Sequence, residues 1–229
     1  MAVLAFALVI AGFGPAMVNT SGRKAPLSLT VSLHAGIFTA WLVLFLVQAW
    51  LIRARNVKAH RRLGYVAAAL AVLMIITGYI AAIAMARRGF DLSGDLRSER
   101  DPHGQLVFQL GDLLSFGVLV GLGVVYRRRP EIHKRLMLLA TVGSLMAAPL
   151  AHLIGHTASL RDLPGAIVLF PLVLLYSAHA IYDRFNGGRI HPVSLWGAIA
   201  LFVWANLRAA VIGPSPAWRK FVSWLVGQA

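Results

Sequence analysis

Cysteine is absent from this chain of 229 residues. A disulfide, a thiolate metal site and a cysteine nucleophile are therefore all excluded. Charge is scarce as well. Only 13% of residues are charged and 59% are apolar, about half the charge fraction of an ordinary soluble domain. The alternating period of an outer-membrane barrel strand is missing. So are a Walker loop, a dinucleotide fingerprint and a Gly-x-Ser-x-Gly elbow. The net charge of +14 does not mark a nucleic-acid binder, because Lys and Arg sit in the short segments between apolar runs. That placement fits topology signals and anionic lipid headgroups.

What remains is a series of apolar runs of about 20 residues, the length of a helix that crosses the hydrocarbon core. In lipid a run of this kind must satisfy its own backbone hydrogen bonds, and a helix does so. The expected fold is all-α, a polytopic transmembrane bundle in one domain, residues 1–213. Spans are expected near 2–19, 28–52, 64–86, 105–126, 134–156, 164–183 and 192–212. Pro26, Pro164, Asn186-Gly187-Gly188, Pro192 and Gly213-Pro214-Ser215-Pro216 supply the breaks. The first run has no basic residue before it, so it reads as a retained helix and not as a leader. Residues 214–229 mix Trp218, Phe221 and Trp224 with Arg219 and Lys220, which suits an interfacial amphipathic helix.

Seven spans sort the loops onto two faces. Side A, which carries the N-terminus, collects 12 Lys and Arg, and side B collects 9. The excess makes side A the cytoplasmic one. The expected location is a bacterial inner membrane, with the lipid bilayer as partner and a membrane protein, a quinone or another redox partner as further candidates. A weak internal repeat accompanies this. RARNVKAHRRL at 53–63 and RRRPEIHKRL at 127–136 are both basic side-A loops that end in His, two basic residues and Leu. The second and third spans and the fourth and fifth can therefore be read as related hairpins, and repeats of this type frame sites. The alternative is a shared way of opening a helix with lipid anchors.

Polar groups inside spans mark candidate sites, because burying them in lipid is costly. On side B these are His34, Asp112 and the pair His152/His156. The four-residue spacing puts both imidazoles of the pair on one helix face. Three imidazoles with a carboxylate suit zinc, iron or copper, and Asp112 or a metal-bound water could serve as a catalytic base. On side A, His60 and His133 open two helices beside Arg61, Arg62 and Arg135. Two facing imidazoles are what a haem iron needs, and Arg62 and Arg135 could meet its propionates. Tyr176, His179 and Asp183 share a face of the sixth span, and His191 follows it. Glycines 117, 121 and 123 are expected to permit close helix packing. The tryptophans are expected mostly as interface anchors, and Arg208 as a side chain that snorkels to side B.

Residues 32–140 include LHAGIFTAWLVLFLVQAW, HRRLG and HKRLM. This stretch resembles a group of uncharacterised bacterial multi-pass membrane proteins, which implies an inner-membrane location. The histidine order is also similar to that of the dihaem transmembrane cytochromes of the ascorbate-dependent type. That resemblance implies a histidine on each of four consecutive helices and a haem near each face. His34, His60, His103 and His133 would fill the pattern, with His103 expected in a hydrophilic loop and His152 or His156 as the side-B partner of His34. The ligand set His34, His152 and His156 is in turn similar to that of seven-helix zinc hydrolases of membranes. The functional expectation is a membrane protein binding haem b or a transition metal, with a redox or electron-transfer role. The alternatives are a zinc-type hydrolase of a lipid or interfacial substrate, and a non-catalytic membrane subunit or assembly factor.

Overall fold

The computed structural model of the chain describes residues 2–18, 28–88, 102–156 and 165–227. Its elements, all helical, are α1 (Ala2–Val18), α2 (Leu29–Arg53), α3 (Val57–Arg88), α4 (Pro102–Val125), α5 (Pro130–Leu138), α6 (Ala147–His156), α7 (Gly165–Gly187), α8 (Pro192–Leu207) and α9 (Pro216–Val226). Two π-helical stretches join them, Leu139–Ser144 after α5 and Arg208–Ile212 after α8. Among the described residues no strand occurs, and five helical stretches are long and apolar enough to cross a membrane. The expected all-α bundle is the observed one.

Local chemistry sets the helix ends. Ser28 Oγ accepts from the Val31 amide, and Asn56 Oδ1 accepts from Ala59, each satisfying a first-turn donor. Pro130, Pro192 and Pro216 open α5, α8 and α9, where a missing N–H costs nothing. Gly227 closes α9 with a left-handed φ of 76°.

The fifth expected span is present as the stretch Pro130–Ile154, but its helix is irregular. Pro149 has no amide to donate to the carbonyl of Leu145, and its ring crowds that carbonyl. The regular hydrogen-bond pattern lapses at Leu145 and Met146, just after the π-helical stretch, although Leu145 keeps right-handed helical dihedrals, and it resumes as α6. This irregular rod is the centre of the bundle. All six residues of Leu139–Ser144 are buried, and the stretch touches α1, α4, α7 and α8. Around it α2 pairs with α3, α3 with α4 and α7 with α8, while α1 lies against α6 and α2.

Trp41 is a core residue and not an interface anchor. It is 2% exposed and stacks edge-on against Phe116, with ring centroids 5.1 Å apart. Its indole N–H donates to Thr141 Oγ1 at 3.2 Å. The buried hydroxyl answers an otherwise orphaned donor, so α2 is tied to the central rod. Small residues let backbones approach. A Cβ at Gly197 would strike Leu139, one at Gly143 would strike Leu201, and one at Gly12 would strike the Pro149 backbone.

The C-terminal tail forms α9, as its composition implied. Val222 and Val226 pack on Ala82, Ile83, Ala86 and Leu106 of α3 and α4. The Trp218 indole donates to the His103 carbonyl at 3.0 Å, while Phe221 and Trp224 face outward. His103 itself lies in the first turn of α4 and not in a loop, because the helix begins at Pro102.

Candidate functional site

Two histidines expected on side A come together. α3 begins at Val57, earlier than its apolar run, so His60 falls in its first turn, and His133 occupies the first turn of α5. The ring centroids are 6.3 Å apart and the planes cross at 81°. His133 Nδ1 lies 2.8 Å from the Gly123 carbonyl. A carbonyl only accepts, so Nδ1 carries the proton and, in the neutral ring, Nε2 keeps its lone pair. That bond orients the ring as outer-shell carbonyls orient ligating imidazoles. His60 Nδ1 and Gln48 Oε1 are both buried with no hydrogen-bond partner. One turn inside His60, a Cβ at Gly64 would meet only Gln48 Nε2, at 3.9 Å. Gln48 of α2 thus lies against the inner side of His60. Arg61 and Arg62 are exposed at the same end.

Arg135 finds its carboxylates within the chain. Nε and Nη2 donate to Asp183 at 3.0 and 2.7 Å, and Nη1 donates to Glu131 at 2.6 Å. Asp183 also accepts from the Ser194 hydroxyl at 2.6 Å and from the His191 amide at 3.3 Å. His191 caps α8, its Nδ1 accepting from the Val193 amide. Every nitrogen of the Arg135 guanidinium is engaged, whereas Arg61 and Arg62 are exposed at this end. Tyr176 and His179 continue the Asp183 face inward and are each 3% exposed.

On side B the polar groups separate. Asp112 is held by Arg208, with Nη1 2.7 Å from Oδ1. Arg208 does not snorkel. Its side chain is 4% exposed, donates to the Phe108 carbonyl at 2.8 Å, and lies over the Phe108 and Trp204 rings. Gly111 makes room for it, since a Cβ there would collide with the guanidinium. Trp204 in turn donates to the Gly111 carbonyl at 3.1 Å. His34 packs beside Gly78 and Phe38, with Nδ1 buried and unpartnered. His152 stacks on Phe13 of α1, with centroids 4.5 Å apart. Among the described residues, no group of three His, Asp or Glu side chains could hold a metal ion. The expected ligands His34, Asp112 and His152 therefore form no such group. The side chain of the fourth, His156, lies outside the described residues.

Ser194, a buried partner of Asp183, has no distinguishing pattern in the sequence. Arg208, expected to snorkel, carried the signal for its inward position, because an arginine inside an apolar run demands a partner. Compared with protein-family models, curated proteins and solved structures, the chain finds no match.

Proposed function

We propose that this chain crosses a bacterial inner membrane seven times, with its N-terminus cytoplasmic, and holds a haem b between His60 and His133 for electron transfer. The observation that carries this reading is the crossed imidazole pair with its oriented His133 ring. Two imidazoles on one metal, each at a metal–nitrogen distance of about 2 Å, stand about 6 Å apart between centroids, and these stand 6.3 Å apart. The count of ligands also favours haem over a bare zinc, iron or copper ion. A haem iron asks the protein for two axial groups, whereas a zinc site asks for three or four.

His133 would present Nε2 because Gly123 holds its Nδ1. Gln48, whose Oε1 has no partner, would hydrogen-bond at the rim. Arg62, exposed beside the site, would meet an anionic edge. A haem bound there supplies a one-electron centre close to side A, in reach of a quinone or another membrane redox partner. The test is an optical spectrum and metal analysis of the purified protein from haem-replete cells. A Soret band with stoichiometric iron, lost in His60→Ala and His133→Ala, is the expected result. Purified wild type without a Soret band and without iron refutes the assignment.

A further inference from the structure

Two buried ion pairs lie at different depths of the bundle, Arg208–Asp112 between α8 and α4 and Arg135–Asp183 between α5 and α7. The inner face of α7 connects them. Tyr176 packs in one cluster with Leu201 and Ala205 of α8, and Ala205 stands one turn before Arg208. His179 follows three residues later and Asp183 four after that, spacings that stack side chains on one helix face. All three α7 residues are buried, at 3%, 3% and 7% exposure. Together they place three buried polar side chains on one face of α7.

Several atoms in the core that the stripe crosses are buried without partners: both ring nitrogens of His179, Arg208 Nε and, on the central rod, Ser144 Oγ. An imidazole with neither nitrogen bonded is costly in an apolar interior. Internal water that makes two to four hydrogen bonds is the ordinary remedy. Carboxylate and histidine chains of this kind inside membranes are characteristic of proton relays.

We infer that the Tyr176–His179–Asp183 stripe, with water bound along it, carries protons between the Asp112–Arg208 pair and the side-A surface. His179 is the relaying group. It takes a proton at one ring nitrogen and releases one from the other, and a ring flip or tautomer exchange restores the start. The net change is the displacement of one proton, driven by the potential or pH difference across the bilayer. No bond of the protein is altered. The relay does not depend on the haem assignment, and the variants that test it leave His60 and His133 intact.

The experiment places purified full-length chain in vesicles of neutral and anionic phospholipid enclosing a pH-sensitive dye. A potassium gradient with valinomycin sets the potential. Wild type is expected to move protons about tenfold faster or more than protein-free vesicles, and His179→Leu to fall to the protein-free rate. Wild-type flux equal to protein-free vesicles overturns the inference, as does His179→Leu flux equal to wild type. If His179→Leu is not monodisperse in detergent, Tyr176→Phe decides, because it removes one hydroxyl at constant shape. Reduced flux there supports the relay, and wild-type flux overturns it. Iron and Soret content, measured on the same preparations, keep failure of the relay separate from failure of the haem assignment.

Discussion

Arg208→Leu is the substitution whose consequence the structure defines most sharply. It removes the cation of a 2.7 Å pair whose side chains are 4% and 21% exposed. It also removes the bond to the Phe108 carbonyl and the guanidinium over Trp204, 5.3 Å from the ring centroid. Leucine keeps the site filled, so the dominant effect is a buried carboxylate left without its countercharge. Breaking a buried pair in this way costs about 3–5 kcal/mol, whereas replacing both partners with apolar groups of similar volume is near neutral. Arg208→Leu is thus expected to lose about 3–5 kcal/mol, and the double variant Arg208→Leu/Asp112→Leu to recover most of that loss. The deficit of the single variant should shrink as pH is lowered, because protonating the stranded carboxylate removes the charge that causes it. Reversible unfolding in mixed detergent–SDS micelles, run on both variants at two pH values, measures each quantity. The reasoning is refuted if Arg208→Leu unfolds within about 1 kcal/mol of wild type, or if the double variant is less stable than the single.

Two further outcomes follow from the packing. Thr141→Val keeps the shape of the central rod but leaves the Trp41 indole N–H, 3.2 Å from Thr141 Oγ1, without an acceptor. A loss of about 1–3 kcal/mol in the same assay is expected, and an unchanged unfolding midpoint would show that the bond contributes nothing. Gly12→Val places a side chain into the Pro149 backbone, forcing α1 away from α6 at a cost of about 1–3 kcal/mol. Gly14→Val, whose Cβ meets only Ile10 at 3.7 Å, serves as the control and should change stability little.

The pairing of His60 with His133 shows how far the two kinds of information overlap. Sequence placed each histidine in a basic loop of like wording and on one face, because hydropathy fixes span order and span order fixes the face. Only the packing of α3, α4 and α5 decided that the rings meet at 6.3 Å and that Gly123 orients one of them. Arg135 illustrates the opposite outcome. Its charge made it a candidate for an external anion, yet Asp183, 48 residues later, takes two of its nitrogens. Periodicity along a chain says nothing about a contact of that range.

By itself, then, the sequence determined a helical membrane bundle, its approximate helix ends and the polar stripe on α7. Length, apolar runs, prolines and the 3.6-residue period act locally. The tertiary structure alone decided three other things. Pro149 and the π-helical stretch make the fifth span an irregular helix at the centre of the bundle. Trp41 goes inward to Thr141 and not outward to the interface. Asp112 belongs to Arg208 on α8 and joins no three-ligand group among the described residues. Each of these depends on which faces of distant helices meet. Gly12 lets the Pro149 backbone approach, and Gly111, Gly143 and Gly197 make room for the side chains of Arg208, Leu201 and Leu139.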